Sequence, residues 1–155
     1  MNILAKIALV LCLGWPLPAM PNLHHNHNQN VARVSQSTII EVHAPTVFET
    51  VRINRLASSL NFAGQAMPGW WKIVVLTPGE WNEDVSKWNL DTASAFTTLG
   101  QNITYLNPDY LIIASDGRLQ WTLAHEAGHL ICNCTSEDKA NAIAKILTGH
   151  DRPDF

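Results

Sequence analysis

The chain has 155 residues, of which 46% are hydrophobic and 15% are charged, and its formal net charge is -3 at pH 7. This length and composition favour a single globular domain and exclude a disordered chain. The negative net charge provides no electrostatic basis for binding nucleic acid, and it leaves a peptide or another polar molecule open as a partner.

The first 19 residues have the pattern of a secretory signal peptide. Lys6 precedes an apolar run from Ile7 to Trp15, and Ala19 is a small residue after which the chain could be cleaved. The run is too short to span a bilayer comfortably, so no stable membrane anchor is expected after cleavage. We therefore expect an exported protein, periplasmic or secreted. A buried N-terminal helix or a short anchor is the alternative.

Residues 20–30 are polar and rich in histidine and asparagine. This composition predicts a disordered leader, whose histidines could bind a metal loosely, although a solvated tail fits better. Residues 31–155 contain neither an internal repeat nor a linker that would divide them. They are therefore expected to form one domain.

Hydrophobic periodicity and turn residues divide this domain into short elements. Pro78 with Gly79, and Asn107 with Pro108, are each expected to end a strand, and Gly149 is expected to end a helix. The predicted elements, in chain order, are a strand within 31–43, a helix over 46–60, a strand over 70–77, an irregular segment over 80–89, strands over 93–99 and 103–106, a helix over 118–132, and a last helix from Thr135 or Ser136 to 147.

A His-Glu-x-x-His motif lies inside the predicted helix over 118–132, at His125, Glu126 and His129. At about 100° per residue, the two histidines lie about 40° apart on one helix face, so both can reach a single metal ion. Glu126 points to the side of this pair and could accept a hydrogen bond from metal-bound water without being a ligand. The opposite face is apolar and is expected to pack into the core; it carries Leu119, Leu123, Ala127 and Leu130.

The helix that follows the motif is expected to supply the third protein ligand of such a site. Catalytic zinc usually takes three protein ligands and keeps one position for water. Glu137 starts this helix eight positions after His129, and Asn141 lies one turn further on the same face, where it could hydrogen-bond a ligating histidine. Asp138 is the rival ligand, but its neighbour one turn on is Ala142, which can orient nothing. Both carboxylates could instead only favour the helix N-terminus.

The two cysteines of the domain are further rivals, because thiolates bind zinc well. Cys132 and Cys134 lie close to the motif, but a thiolate ligand is typical of structural rather than hydrolytic sites. With only one residue between them, a mutual disulfide would be strained and is not assumed. Their redox state stays open at this point.

The motif residues resemble the gluzincin metallopeptidases, and most of all the minimal ImmA/IrrE type. In that type the His-Glu-x-x-His motif is followed by a helix containing Glu-x-x-Ala-Asn-x-x-Ala, which stands here as residues 137–144. The resemblance implies zinc ligands at His125, His129 and Glu137, and a general base at Glu126. It also implies an α+β fold in which a small mixed sheet packs on the active-site helix, followed by a C-terminal helix. An edge strand before that helix would receive an extended peptide.

The expected function is therefore that of a zinc metallopeptidase, a hydrolase acting on a peptide or protein substrate. Glu126 would take a proton from the metal-activated water and deliver it to the leaving amine. Candidates for stabilising the oxyanion, by residue type alone, are Tyr105, Tyr110 and His150, although a structural role is the better expectation for each because no spacing supports the catalytic one. The alternative is a non-catalytic exported binding protein with a zinc-stabilised zincin-like fold. Glu126 favours the enzyme, because a purely structural site has no use for this carboxylate.

The substrate is expected to meet the hairpin over 93–106. Its outer strand could pair with a peptide through main-chain hydrogen bonds, although an ordinary core hairpin fits the pattern equally well. Trp121 lies one turn before His125 and could form a wall of the site or only pack. The other tryptophans are expected to serve packing rather than carbohydrate binding.

Overall fold

The computed structural model describes residues 38–88 and 93–154. The expected signal peptide and polar leader lie outside these residues. No helix of the described part is both long enough and apolar enough to cross a membrane. The elements are β1 (Ile39–His43), α1 (Val47–Ser58), β2 (Trp70–Val75), α2 (Pro78–Trp88), β3 (Ala95–Thr98), a 3-10 turn (Leu99–Gln101), β4 (Ile103–Leu106), α3 (Pro108–Ile113), α4 (Asp116–Cys132) and α5 (Glu137–Thr148).

The strands form one mixed sheet in the order β1-β2-β4-β3. β1 and β4 both run parallel to β2, whereas β3 pairs antiparallel with β4 and forms the edge of the sheet. The predicted α+β class, with a small mixed sheet and a C-terminal helix, is thus confirmed.

The two faces of the sheet meet different helices. On one face, side chains such as Trp71 and Ile73 join the main core, which also contains Ile53 of α1 and Leu123 of α4. On the other face, Trp81 of α2 lies in a smaller apolar cluster with partly buried strand residues. The alternation of side chains along β2 explains this division, since neighbouring residues of a strand point to opposite faces. The apolar face predicted for α4 is buried as expected.

Two helices differ from the prediction. The segment over 80–89, expected to be irregular, lies largely in α2, where the Thr77 hydroxyl accepts from the Glu80 backbone and the Glu80 carboxylate accepts from Thr77. The residues expected only to end β4 also start α3, with Asn107 as N-cap. In both places proline sits in the first helical turn, where its missing N–H costs nothing.

An arginine clamp fixes the start of α4. Arg52 of α1 donates to the backbone oxygens of Leu111 and Ala114, and together with Arg55 it binds the Asp116 carboxylate. Hydrogen bonds from Arg52 and Arg55 lower the pKa of Asp116 below its ordinary value. The clamp therefore joins α1 to the first turn of the helix that carries the His-Glu-x-x-His motif.

Close packing of α4 on α5 depends on Gly128. A Cβ atom at this position would lie 2.7 Å from the carbonyl oxygen and 2.9 Å from the Cα of Ala140. No side chain fits into such a contact with backbone atoms. The glycine therefore lets the first turns of α5 approach the motif.

Candidate metal centre

The structure brings His125, His129 and Glu137 together at one point. The Nε2 atoms of the two histidines are 3.2 Å apart. The Glu137 carboxylate reaches both, at 3.0 Å from His125 and 3.5 Å from His129. Each of the three residues offers one ligand atom, and these three atoms all lie within 4.8 Å of one another. The Glu137 side chain is 72% exposed, which places this donor at the open rim of the site.

Hydrogen bonds on the other side of the rings determine which nitrogen carries the proton. His129 Nδ1 lies 2.9 Å from the carbonyl oxygen of Cys134, and His125 Nδ1 lies 2.9 Å from the amide oxygen of Asn141. Oxygen atoms of this kind only accept, so each neutral ring carries its proton on Nδ1. Both Nε2 lone pairs consequently face each other and the Glu137 carboxylate.

This donor set fits a metal ion. When both rings are neutral, two lone pairs and a carboxylate converge on one point, an arrangement that a bound cation would stabilise. Imidazoles oriented by a partner on Nδ1 are the usual form of histidine ligands. His125, His129 and Glu137 could therefore hold a metal ion.

The rivals for the third ligand lie elsewhere. Asp138 is exposed and does not belong to the converging group. Cys132 and Cys134 form a disulfide with each other, with their Cα atoms 5.2 Å apart, so neither offers a thiolate. The redox state that the sequence left open is thus a disulfide, and Asn133 between the two cysteines has a left-handed backbone conformation (φ 45°). Cys134 contacts the site through its carbonyl oxygen, which lies 2.9 Å from His129 Nδ1.

Glu126 is buried beside the histidine pair. Glu126 is 5% exposed, and its Oε2 atom accepts a hydrogen bond of 2.6 Å from the Thr97 hydroxyl. Burial raises the pKa of Glu126, while the Thr97 hydrogen bond and the two histidines act in the opposite direction. Glu126 is not part of the converging donors.

The site opens into a cavity of about 900 Å³. One wall is the whole of β3, and the floor contains the motif of α4. β3 is the edge strand of the described sheet, and an edge strand is the position at which an extended chain can pair with a sheet. Further lining residues are Trp121, Thr122, Thr135, Asn141 and Arg152.

None of the three residues considered for the oxyanion lines this cavity. Tyr105 stacks on Phe96 on the other face of the sheet. The Tyr110 hydroxyl pairs with Thr122 at 2.8 Å, and His150 packs near Trp121 with ring centroids 5.9 Å apart.

Several lining residues that can donate hydrogen bonds were not singled out from the sequence, among them Thr97 and Arg152. The alternation of β3 could have placed Thr97 on the same sheet face as Thr104, given the strand register. Nothing in the spacing of Arg152 connects it to the motif, because it belongs to the segment after α5.

Comparisons of the chain with protein-family models, curated proteins and solved structures found no match.

Proposed function

We propose that the chain is a zinc-dependent peptidase in which His125, His129 and Glu137 hold the metal and Glu126 is the general base. Two nitrogen ligands of a tetrahedral zinc, each about 2.0–2.1 Å from the ion, lie roughly 3.3 Å apart. The 3.2 Å between the two Nε2 atoms supports zinc for this reason. When bound, zinc would polarise a carbonyl group and make water acidic enough to react near neutral pH.

The position of Glu126 is the observation that carries the proposal. A structural zinc site is usually closed by four protein ligands, whereas here three donors converge and the carboxylate of Glu126 stands beside them. Burying a carboxylate is costly unless partners satisfy it, so its place beside the donors favours a functional role. From there it could accept a proton from water and then give it to a leaving amine.

The shape of the cavity supports an extended peptide as substrate. β3 forms an open edge along the cavity, and an added strand would obtain main-chain hydrogen bonds from it. Main-chain pairing is independent of the side chains of the substrate. We infer that unstructured segments are cleaved in preference to folded ones.

Export is proposed on two grounds. The first 19 residues have the pattern of a secretory signal, and the domain contains a disulfide between Cys132 and Cys134. Disulfides persist in oxidising compartments and are rare in the cytosol. Both features favour a periplasmic or secreted protein.

The proposal is tested by comparing the wild type with Glu126→Gln. Glutamine keeps the shape and can still accept a hydrogen bond from Thr97, but it is not a base. We expect the variant to fold and to bind zinc as the wild type does, and to lose about 10²- to 10⁴-fold in cleavage rate. Asp138→Asn, which neutralises an exposed carboxylate nearby, should cleave normally.

Cleavage should be measured on casein and on a peptide library, with protein purified from a host that lacks its own metallopeptidases. Equal cleavage by the wild type and Glu126→Gln would show that Glu126 is not the base. A zinc-loaded wild type that cleaves nothing would favour the non-catalytic binding protein.

A further inference from the structure

A chain of three hydrogen bonds runs from the core to Glu126. The indole nitrogen of Trp71 lies 2.9 Å from the Thr104 hydroxyl. The Thr104 hydroxyl lies 2.8 Å from that of Thr97, and Thr97 lies 2.6 Å from Glu126 Oε2. The chain crosses from β2 through β4 and β3 to α4.

These groups are polar in an otherwise apolar surrounding. Trp71 and Thr104 are fully buried (0% exposed), and Trp71 belongs to the main core. Thr97 and Thr104 are direct partners in the β3–β4 pairing, so the strand register aligns their hydroxyls. A buried polar group that loses its partner is strongly unfavourable. The hydrogen-bond chain from Trp71 to Glu126 is therefore held in place as long as each of its three bonds is made.

The donors in this chain can be assigned. An indole N–H only donates, so Thr104 accepts from Trp71. An ionised carboxylate only accepts hydrogen bonds, so the Thr97 hydroxyl donates its single proton to Glu126 Oε2. Thr104 must then give its own proton to Thr97. Every hydroxyl proton points towards Glu126.

We propose, on the basis of the proposed function, that Thr97 is a positioning residue that holds Glu126 Oε2 as a permanent acceptor and leaves Oε1 to take the proton from water. Thr104 and Trp71 keep the Thr97 proton in this direction. They act through Thr97 and do not touch the reacting atoms.

Each hydroxyl in the hydrogen-bond chain has a single proton and a fixed partner. The Thr97 hydroxyl therefore keeps its direction towards Oε2. This prevents the Glu126 carboxylate from turning away from the site.

The test compares Thr97→Val, which removes only the hydroxyl, with Thr97→Ser, which keeps it. Misplacement of a catalytic group can cost about 100-fold in rate, so we expect Thr97→Val to lower kcat about 10- to 100-fold with KM unchanged. Thr97→Ser should restore most of kcat. Thr50→Val, which removes a helix hydroxyl far from the site, should match the wild type.

A second readout does not depend on cleavage. In zinc-loaded protein labelled with ¹³C-glutamate, the carboxyl carbon signal of Glu126 is identified by its loss in Glu126→Gln. It should shift in Thr97→Val and return in Thr97→Ser. Thr104→Val, which breaks the chain one step earlier, should shift it in the same direction and serves if Thr97→Val does not fold.

The outcomes separate the two proposals. If the wild type cleaves nothing, the peptidase proposal fails, while the carboxyl signal still decides whether Thr97 holds Glu126. An unchanged signal and an unchanged kcat in Thr97→Val would overturn the positioning role. Equal losses in Thr97→Ser and Thr97→Val would also overturn it, because they would show that packing and not the hydroxyl matters.

Discussion

The Nδ1 atom of His125 and the amide oxygen of Asn141 are 2.9 Å apart and join α4 to α5. The bond holds the His125 ring with its other nitrogen towards Glu137. It also makes α5 contribute twice to the site, since Glu137 and Asn141 lie one turn apart on the same helix face. The hydrogen bond that the sequence predicted for Asn141 is present.

Loss of this bond should weaken the metal site without removing it. Asn141→Ala is expected to lower zinc affinity by about 10- to 100-fold, because partners of ligating histidines have effects of this size. Competition with a chromophoric chelator measures the affinity. Asn141→Asp keeps an acceptor for the ring proton and is the matched control. Unchanged affinity in Asn141→Ala would contradict the orienting role.

The three donors should each be needed for stoichiometric zinc. The wild type is expected to carry about one zinc per chain, and His125→Ala, His129→Ala and Glu137→Ala should each lose most of it. Elemental analysis after dialysis, on protein from which residues 20–30 have been removed, measures the content.

Two variants serve as controls for the zinc content. Asp138→Ala changes the exposed carboxylate next to Glu137, and His150→Ala removes a histidine outside the cavity. Both should keep the full zinc content. If Asp138→Ala loses zinc and Glu137→Ala keeps it, the third ligand is Asp138 and the assignment of Glu137 is wrong.

Gly128→Ala should separate α4 from α5. The added methyl group would meet backbone atoms of Ala140 at 2.7 Å and 2.9 Å, and such overpacking costs about 1–3 kcal/mol. The gain in helix propensity, about 1 kcal/mol at most, does not offset the upper part of this range. We expect a lower free energy of unfolding and weaker zinc binding, since Glu137 and Asn141 move with α5.

The matched control is Gly117→Ala in the first turn of the same helix. A Cβ atom at Gly117 would meet nothing within 4 Å. This variant should be as stable as the wild type or more so, with the same zinc affinity. Urea unfolding of the metal-free and zinc-loaded proteins tests both substitutions, and equal behaviour of the two alanine variants would refute the close contact.

The stability supplied by the arginine clamp should depend on pH. The pKa of Asp116 is lower in the folded protein because Arg52 and Arg55 bind its carboxylate. Its ionised form therefore stabilises the fold at any pH above the unfolded value of about 3.9. That contribution is lost as the pH falls through the lowered folded value.

Asp116→Asn should consequently be less stable than the wild type at pH 7, and the difference should shrink as the pH falls below about 4. Urea unfolding of the metal-free proteins between pH 7 and pH 3 measures it. Asp154→Asn, in the exposed C-terminal segment, is the control. A difference that stays constant over this range would rule out the carboxylate as its source.

Local rules were sufficient for the parts of the site that lie within one helix. The spacing of His125 and His129 follows from the helical period, and so does the burial of the face opposite to them. The same period placed Glu137 and Asn141 together on the next helix. The helices α2 and α3 were missed because Pro78 and Pro108 were taken only as ends of strands, although Thr77 and Asn107 before them are good N-caps.

Contacts between elements distant in sequence became visible only in the folded protein. The motif, the candidate third donor Glu137 and the class of the fold were predicted from the sequence. The edge position of β3, the Thr97 hydroxyl behind Glu126 and the contact of Gly128 with Ala140 came from the structure alone. Strand order, register and helix approach are chosen by the packing of the whole core. The local sequence pattern around a residue therefore does not predict its partner across the sheet or on another helix.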